Sequence, residues 1–488
     1  MSEPAGHGLA PQRTYGNWRL GRRPGMFGLG PGPTAVAFGI IALAFLMSTV
    51  STRAALYTVL LGAATLAPLA IRVNGRTGLQ VLAARMAWTY GRSLRQHVYL
   101  SGVASAVTQA HTLPGLLAQS RVYEVETGRA GRIGVVVIPQ SRHYTITLRC
   151  APEGTELVDQ SVIDARVGRL AAWLSSLCRE PMLVQAQVTI ESMPDPGSFL
   201  AGEVESTTHV DAPDLARQVL DEVVRTYPAG SALMATRVSL TFQPPPRRSL
   251  SHEAMCIELA AKLPLFHAGL VGAGASAIAP MSAAELARAV RTAYDPASSL
   301  DLTRDTTTTL DWSQAGPVAT REGWDDYRHD SGLSRTWGMV EAPRGVVFAT
   351  TFSRLSEPEP SFLCNRTTII YRPYAPAEAA RLVENDKRDA RFTASKGPRP
   401  SAREMADLDA ADQAAQEEAA GAGMIRFTVL VTATVRSPRE LDDAARIVQS
   451  RAGEARLFLR PMYGCQAATF AAGLPAGVVL TSHTTIPF

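Results

Sequence analysis

Two uninterrupted apolar stretches near the beginning of the chain are separated by a short polar connection. The first, Thr34–Val50, reads TAVAFGIIALAFLMSTV, and the second, Ala54–Ile71, reads AALYTVLLGAATLAPLAI. Neither contains a charged side chain, and as helices rising 1.5 Å per residue each would be about 26–27 Å long. That length is close to the roughly 30 Å hydrocarbon core of a bilayer. Because only Ser51–Arg53 joins them, the pattern predicts a transmembrane helical hairpin over residues 34–72.

The arginines around these stretches are unevenly distributed. Arg53 alone lies in the connection, whereas seven arginines lie close to the outer ends of the pair: Arg13, Arg19, Arg22, Arg23, Arg72, Arg76 and Arg85. Positively charged flanks stay on the cytoplasmic side of a membrane. The distribution therefore predicts a two-helix protein of the inner (plasma) membrane with both termini in the cytoplasm and the turn outside.

Two other interpretations of the apolar pair stay open at this point, a cleaved signal peptide and a buried hairpin of a soluble protein. Within a membrane hairpin, small residues let two helices approach closely. We therefore expect Ala35 and Gly39 on the first helix to pack against Ala63 and Ala67 on the second.

The segments on either side of the hairpin are also basic. Residues 1–33 are rich in Gly, Pro and Arg and are predicted to lie along the membrane surface as a cytoplasmic segment. Residues 73–112 contain apolar positions at helical spacing, namely Leu79, Leu82, Met86 and Tyr90. This spacing predicts a juxtamembrane amphipathic helix, either at the membrane interface or in the core of the next domain.

Beyond residue 112 the pattern changes to alternating apolar strands and amphipathic helices, which predicts an α+β cytoplasmic body. A first sheet-plus-helix lobe is expected over residues 113–246, a helical and polar connecting region over 247–334, and a second lobe over 335–488. In the second lobe, Val346–Leu355 is expected to be a strand and Ala402–Ala420 a long acidic helix. The two lobes differ too much in sequence to indicate an internal repeat.

The charge of the chain is strongly asymmetric. Residues 1–123 contain eleven arginines and one glutamate, a net charge of +10, whereas the remaining residues carry a net charge of −6. A basic membrane-proximal end attached to a mildly acidic body is typical of a protein on an anionic cytoplasmic leaflet. The acidic body also argues against direct nucleic-acid binding.

Five cysteines are scattered along the chain without a CxxC motif: Cys150, Cys178, Cys256, Cys364 and Cys465. An odd number at irregular spacing is not a disulfide framework. The pattern predicts buried thiols in a reducing compartment.

The sequence offers little that indicates catalysis. It has no P-loop motif, and only three lysines, Lys262, Lys387 and Lys396, could supply the phosphate-binding lysine of one. The GAGASA stretch, Gly272–Ala277, has no preceding strand and is interpreted as a linker. The HEAMC stretch, His252–Cys256, has Cys where a zinc-binding helix requires its second His. We therefore predict a non-enzymatic protein with no catalytic, cofactor-binding or metal-binding residues.

Four aromatic residues concentrate in the polar middle of the chain: Trp312, Trp324, Tyr327 and Trp337. Core packing is one interpretation of this group, and a partner-binding surface is the other.

The end of the chain resembles part of a known family. Residues Arg426–Gly477 are similar to the end of the non-catalytic N-terminal domain of the large type IV secretion ATPases, where a strand, a helix, a strand and a short helix lead to a turn before the motor domain. The positions that match are Gln466, Phe470, Leu474, Pro475 and Gly477. The motor is therefore expected to be in a separate chain.

The beginning of the chain resembles a second group. YGNWRLGRRPGMFGLG (Tyr15–Gly30), the two apolar stretches and RVNGRTGLQVL (Arg72–Leu82) are similar to actinobacterial conjugation-associated membrane proteins, whose hairpin is PrgI-like. Two further segments, Tyr327–Trp337 and Asp221–Ala232, fit the same group. Some of its members are described alongside the EccE component of type VII secretion. The matched motifs are structural, so no catalytic residue is carried over.

Together these resemblances imply an inner-membrane scaffold of a type IV-like conjugative secretion machine. The scaffold is expected to dock a separately encoded cytoplasmic ATPase and other subunits, and to be oligomeric within the larger complex. Two alternatives stay open, an EccE-like structural subunit of type VII secretion and a membrane-tethered enzyme with an unrecognised site.

Overall fold

A computed structural model describes most of the residues of the chain. These are 31–70, 72–73, 75–105, 112–127, 131–154, 158–194, 198–209, 211–226, 232–246, 250–304, 309–343, 347–395 and 401–483. The predicted basic segment 1–33 lies outside them apart from residues 31–33, and so does Lys396. The chain divides into two compact units, and Trp18–His97 with Val340–Ala342 forms the smaller one.

The smaller unit begins with two long helices, α1 (Pro31–Ser48) and α2 (Thr52–Ala70). A two-strand ribbon, β1 (Arg72–Val73) with β2 (Arg76–Thr77), connects α2 to α3 (Gly78–Ser93). The helices predicted from the two apolar stretches and from the juxtamembrane spacing are therefore present, with ends that differ by a few residues.

Gly62 lies at the contact between α1 and α2. A Cβ atom at this position would collide with the side chain of Ile40, so the absence of a side chain allows the two helices to approach here. The predicted contact was different and is wrong for Gly39 and Ala63, because Gly39 has open space around its Cα and both residues are exposed. The side chain of Ala67 lies outside the described part.

The larger unit holds Val98–Met339 and Pro343–Phe488, and its described strands form one thirteen-stranded sheet. The strands of this sheet, in chain order, are β3 (Val98–Leu100), β4 (Arg121–Thr127), β5 (Gly131–Ile138), β6 (His143–Pro152), β7 (Leu183–Pro194), β8 (Ala232–Phe242), β9 (Ala275–Pro280), β10 (Ala319–Glu322), β11 (Tyr327–His329), β12 (Gly332–Glu341), β13 (Cys364–Pro373), β14 (Ile425–Val435) and β15 (Phe458–Pro461). Their spatial order is β3-β10-β11-β12-β14-β13-β7-β8-β6-β5-β4, with β15 beside β12 and β9 beside β6.

Helices connect these strands, and several of them pack against the sheet. In chain order they are α4 (Gln160–Leu177), α5 (Ser198–Thr207), α6 (Asp214–Thr226), α7 (His252–Gly272), α8 (Ala283–Tyr294), α9 (Ser299–Arg304), α10 (Ser353–Ser356), α11 (Pro376–Ala394), α12 (Ala402–Ala419), α13 (Pro438–Glu454) and α14 (Gln466–Ala472). The body is thus α+β, as predicted, and the long acidic helix is present as α12.

The two predicted lobes do not have separate sheets. Strands β7 and β13 pair in antiparallel register, from Ser192 opposite Asn365 to Ala186 opposite Tyr371. This pairing joins the strands of the first lobe to those of the second. Both strands are buried over most of their length, so each needs a hydrogen-bonded neighbour on either side, and each supplies one for the other.

The connecting region also differs from the expectation. It contributes β9, β10, β11 and the beginning of β12 to the sheet, although much of its sequence is polar. The predicted strand Val346–Leu355 is wrong, because the described part of that stretch forms turns and the beginning of α10.

The two faces of the sheet have different chemistry. One face is apolar and packs against α4, α7 and α13, with Leu240, Trp337 and Val431 in the resulting cores. The opposite face carries a band of buried hydroxyl and amide side chains at its centre and is covered by α8, α14 and the residues that follow α14. We call this second face the polar face.

Candidate membrane anchor and buried polar face

The apolar side chains of α1 and α2 lie mostly on the surface of the hairpin. Phe45 is 77% exposed and Leu61 70% exposed. Ten further large apolar side chains in the described part of the hairpin are also exposed: Val36, Phe38, Ile41, Leu43, Leu46, Val50, Leu56, Tyr57, Val59 and Leu60. Exposed apolar areas of this size mark membrane or protein contacts.

One helix among the described residues, α7, is long and apolar enough to cross a membrane by length and composition, and a shorter apolar stretch, Ala35–Ser48, lies in α1. One side of α7 packs into the core on the apolar face of the sheet. Trp173 of α4 donates a hydrogen bond from Nε1 to the Phe266 carbonyl at 3.2 Å, and Lys262 pairs with Glu180 at 2.8 Å. These contacts place α7 in the larger unit as a core helix.

Helix α3 has none of its residues buried. Leu79, Leu82, Met86 and Tyr90, the four apolar positions predicted from the sequence, are all exposed. Of the two interpretations of this helix, the core helix is therefore wrong.

The polar face of the sheet is built from cross-strand pairs of buried hydroxyl groups. Five such pairs extend across β6, β8, β7, β13, β14 and β12, with oxygen separations of 2.8–3.3 Å: Thr145–Thr241, Thr147–Ser239, Thr189–Thr368, Thr336–Thr432 and Ser334–Thr434. Buried hydroxyl groups need partners, and neighbouring strands provide them here.

The residues from Gln466 to Val479, which we call the C-terminal segment, lie across this polar face. Three side chains of the sheet donate hydrogen bonds to carbonyl groups of the segment: Thr147 to Pro475 at 3.2 Å, Gln187 to Leu474 at 3.2 Å and Gln185 to Val478 at 3.4 Å. At the other end, the side-chain amide of Gln466 accepts a hydrogen bond from the backbone N–H of Thr336 and donates one to the carbonyl of the same residue. The segment is thus fixed by polar contacts along its whole length.

Gly477 shows how closely the segment approaches the sheet. Its φ of +66° is in the left-handed region, and a Cβ atom would collide with the hydroxyl oxygens of Thr145 and Thr241. Only glycine fits without displacement of the backbone.

A buried ion pair lies at one end of the polar face. Glu191 on β7 accepts hydrogen bonds from Arg366 on β13, with Nη2 at 2.7 Å and Nε at 2.8 Å, and Arg237 on β8 lies 3.4 Å away. Burial alone would raise the pKa of Glu191, but the two guanidinium groups outweigh it and hold the pKa at about 2. Arg366 also lies against the ring of Phe470, at 5.3 Å from its centroid.

This ion pair was not predicted, because its members are 175 residues apart in the chain. A signal does exist locally. Arg366 stands in the middle of FLCNRTTIIY, between apolar residues that predict a buried strand, and an arginine at such a position requires a buried acid.

His329 belongs to a second buried network next to α8. Its Nδ1 lies 2.6 Å from the Tyr294 carbonyl and its Nε2 lies 2.7 Å from the Ser334 hydroxyl. A carbonyl only accepts, so Nδ1 carries the proton and Nε2 accepts from Ser334. Burial lowers the pKa of His329 to about 4, so the ring is neutral at physiological pH.

Four of the five cysteines are buried, as the sequence predicts, and Cys465 is partly exposed. Burial raises the pKa of Cys256 and of Cys364 to about 12 and that of Cys150 to about 11. These thiols are therefore protonated at neutral pH and are poor nucleophiles.

The motifs singled out in the sequence have structural surroundings. His252 begins α7 and its Nδ1 lies 2.8 Å from the Tyr144 hydroxyl, beside a surface depression of about 300 Å³. No group of three metal-binding side chains occurs among the described residues. The GAGASA stretch ends α7 and begins β9, so it is partly a strand, and the order helix-then-strand is opposite to that of a dinucleotide-binding turn.

The four aromatic residues of the middle region separate in the fold. Trp312 and Tyr327 lie in the core next to α8, and Trp337 lies in the core on the opposite face of the sheet. Trp324 stacks on Tyr463, with ring centroids 5.8 Å apart. For the first three residues the core interpretation is confirmed.

Comparison with known proteins adds one match. The model of a family described as a domain of unknown function (DUF8461) matches residues 22–80. That range contains both helices of the hairpin and the beginning of α3. No curated protein matches the chain.

Proposed function

We propose that this protein is a membrane-anchored scaffold of a type IV-like conjugative secretion machine. In this proposal α1 and α2 cross the inner membrane as a hairpin, both termini are cytoplasmic, and the large sheet forms a platform that docks a separately encoded ATPase. The exposed apolar surface of α1 and α2 is the observation that supports the membrane anchor in this proposal.

Transfer of the exposed apolar side chains of α1 and α2 from water into the bilayer is favourable. Complete burial of one large apolar side chain is worth about 1.5–3 kcal/mol. Even at roughly 1 kcal/mol for each half-exposed side chain, the twelve in the described hairpin would contribute on the order of 10 kcal/mol on transfer into hydrocarbon. Helices of 18 and 19 residues have about the length that a bilayer requires.

The platform part of the proposal rests on the resemblance of Arg426–Gly477 to the domain that precedes the motor in type IV secretion ATPases. The region corresponds to β14, α13, β15, α14 and the C-terminal segment, and the last of these is fixed across the polar face of the sheet. Such a rigid surface suits a subunit against which a motor in another chain moves.

A protein partner needs an accessible surface, and α6 offers one. Leu215, Val219 and Val223 recur at every fourth position on this helix and are all exposed, Leu215 by 72%. Residues at this spacing lie on one side of a helix. Charged residues of both signs surround them, which suits a protein surface better than an anionic lipid surface.

Co-purification tests the proposal. The full-length protein, solubilised from membranes of a cell that carries the conjugative element, should retain the cognate ATPase in mild detergent. Recovery of the protein in the membrane fraction without the ATPase would overturn the docking function. Recovery in the soluble fraction would overturn the anchor as well.

A further inference from the structure

Helix α3 has an apolar stripe that is exposed among the residues the structure describes. Leu79, Leu82, Met86 and Tyr90 lie at intervals of three and four residues and are 45–69% exposed. Side chains at this spacing share one side of a helix. The helix has a well-defined beginning, because Thr77 and Gln80 form a capping box. The stripe is therefore a fixed feature of a formed helix.

The charges around this stripe are all positive. Arg85 and Arg92 lie over the ring of Trp88, with distances of 5.5 and 5.3 Å to its centroid. This arrangement holds both guanidinium groups on one side of α3, roughly a third of a turn from the centre of the stripe. Arg76 and Arg95 flank the helix, and no carboxylate side chain occurs between Glu3 and Glu124.

We infer that α3 is a lipid-surface helix. It lies in the headgroup region of the bilayer, with the stripe inserted among the acyl chains and with Arg85 and Arg92 at the phosphates of anionic phospholipids. The inference deepens the proposed function and rests on it, because the same bilayer must hold α1 and α2.

Two observations favour lipid over a protein partner. First, the seven residues between Ala70 and Gly78 span at most about 30 Å, so α3 cannot move far from the end of α2. Second, an amphipathic helix with arginines beside its apolar side and no acidic residue complements an anionic leaflet, since long basic side chains reach from the interface to the phosphates.

Site-specific fluorescence of the full-length protein tests this inference. Met86→Cys, in a background with Cys465→Ser, is labelled with an environment-sensitive fluorophore in nanodiscs of phosphatidylcholine with or without phosphatidylglycerol. We expect quenching by lipids brominated on the acyl chains, at least about twofold stronger with the anionic lipid. Ala84→Cys, on the opposite side of α3, is the matched control and should not be quenched.

A second labelled position separates this inference from the proposed function. Phe45→Cys on α1 reports the hairpin, and the double variant Arg85→Gln, Arg92→Gln should lose the anionic-lipid effect at position 86. Quenching at position 45 without quenching at position 86 would overturn the lipid-surface helix and leave the anchor intact. Equal quenching at 86 in both lipid mixtures would overturn its anionic preference, and quenching at neither position would overturn the anchor itself.

Discussion

The buried carboxylate of Glu191 is the point at which the fold should be most sensitive to a single charge. The Glu191→Gln substitution changes few atoms but removes the counter-ion of Arg366, which is only 2% exposed. Arg237, also largely buried, would then face Arg366 with no negative charge between them.

The expected cost follows from the surroundings of these groups. Breaking a buried ion pair by removing one partner typically destabilises a protein by about 3–5 kcal/mol, because the remaining charge stays desolvated. Replacing all three buried charges together, as in Glu191→Leu with Arg366→Met and Arg237→Met, should recover most of this loss because no buried charge is then left without its counter-ion.

Urea unfolding of the full-length protein in detergent, followed by tryptophan fluorescence, measures these free energies of unfolding. Glu126→Gln is the matched control, because Glu126 is 82% exposed and lies 3.9 Å from Arg132. The control should unfold at the wild-type urea concentration. If Glu191→Gln also did so, the ion pair would not be buried as described, and the central contact between β7 and β13 would be in doubt.

Three further predictions follow from the same structure. His329 has a pKa of about 4 in the folded protein and an ordinary pKa of about 6.5 in the unfolded chain. The unfolded chain therefore binds more protons, and the free energy of unfolding should fall by roughly 3 kcal/mol as the pH decreases from 6.5 to 4. The His329→Gln variant should show a shallower loss. Gly477→Val should lower the free energy of unfolding by at least about 2 kcal/mol. Gly453 has open space around it, so Gly453→Ala should not lower this free energy. Equal unfolding midpoints of the two variants would contradict the close approach of the C-terminal segment to the sheet. The double variant Leu215→Glu, Val219→Glu should remain in membranes and fold normally but lose the co-purified ATPase, and undiminished recovery would exclude α6 as the docking surface.

Elements with a clear pattern of apolar residues could be predicted from the sequence, and elements without one were missed. Helices α1 and α2 were evident from unbroken apolar stretches. Strand β12 was missed because its buried residues on the polar face, Ser334 and Thr336, read as surface residues. Their burial depends on hydroxyl partners on β14, which no local pattern reveals.

The single sheet was missed for a related physical reason. Strand β7 pairs with β13, which comes almost two hundred residues later in the chain. The alternation of apolar residues in a strand shows which face is buried but does not identify the neighbouring strand. The Glu191–Arg366 pair is a consequence of that pairing and was equally invisible. The apolar stripes on α3 and α6 could be located from their spacing, but their exposure within the described part of the chain is seen only in the fold.

The most direct test of the account is the topology of the hairpin. Two variants, Ser51→Cys in the exposed turn between α1 and α2 and Glu418→Cys at a partly exposed position near the end of α12, are each treated with a membrane-impermeant maleimide in intact cells. We expect labelling at position 51 in intact cells and at position 418 only after the membrane is permeabilised. Protection of position 51 in intact cells, together with release of the protein by an alkaline wash without detergent, would contradict it.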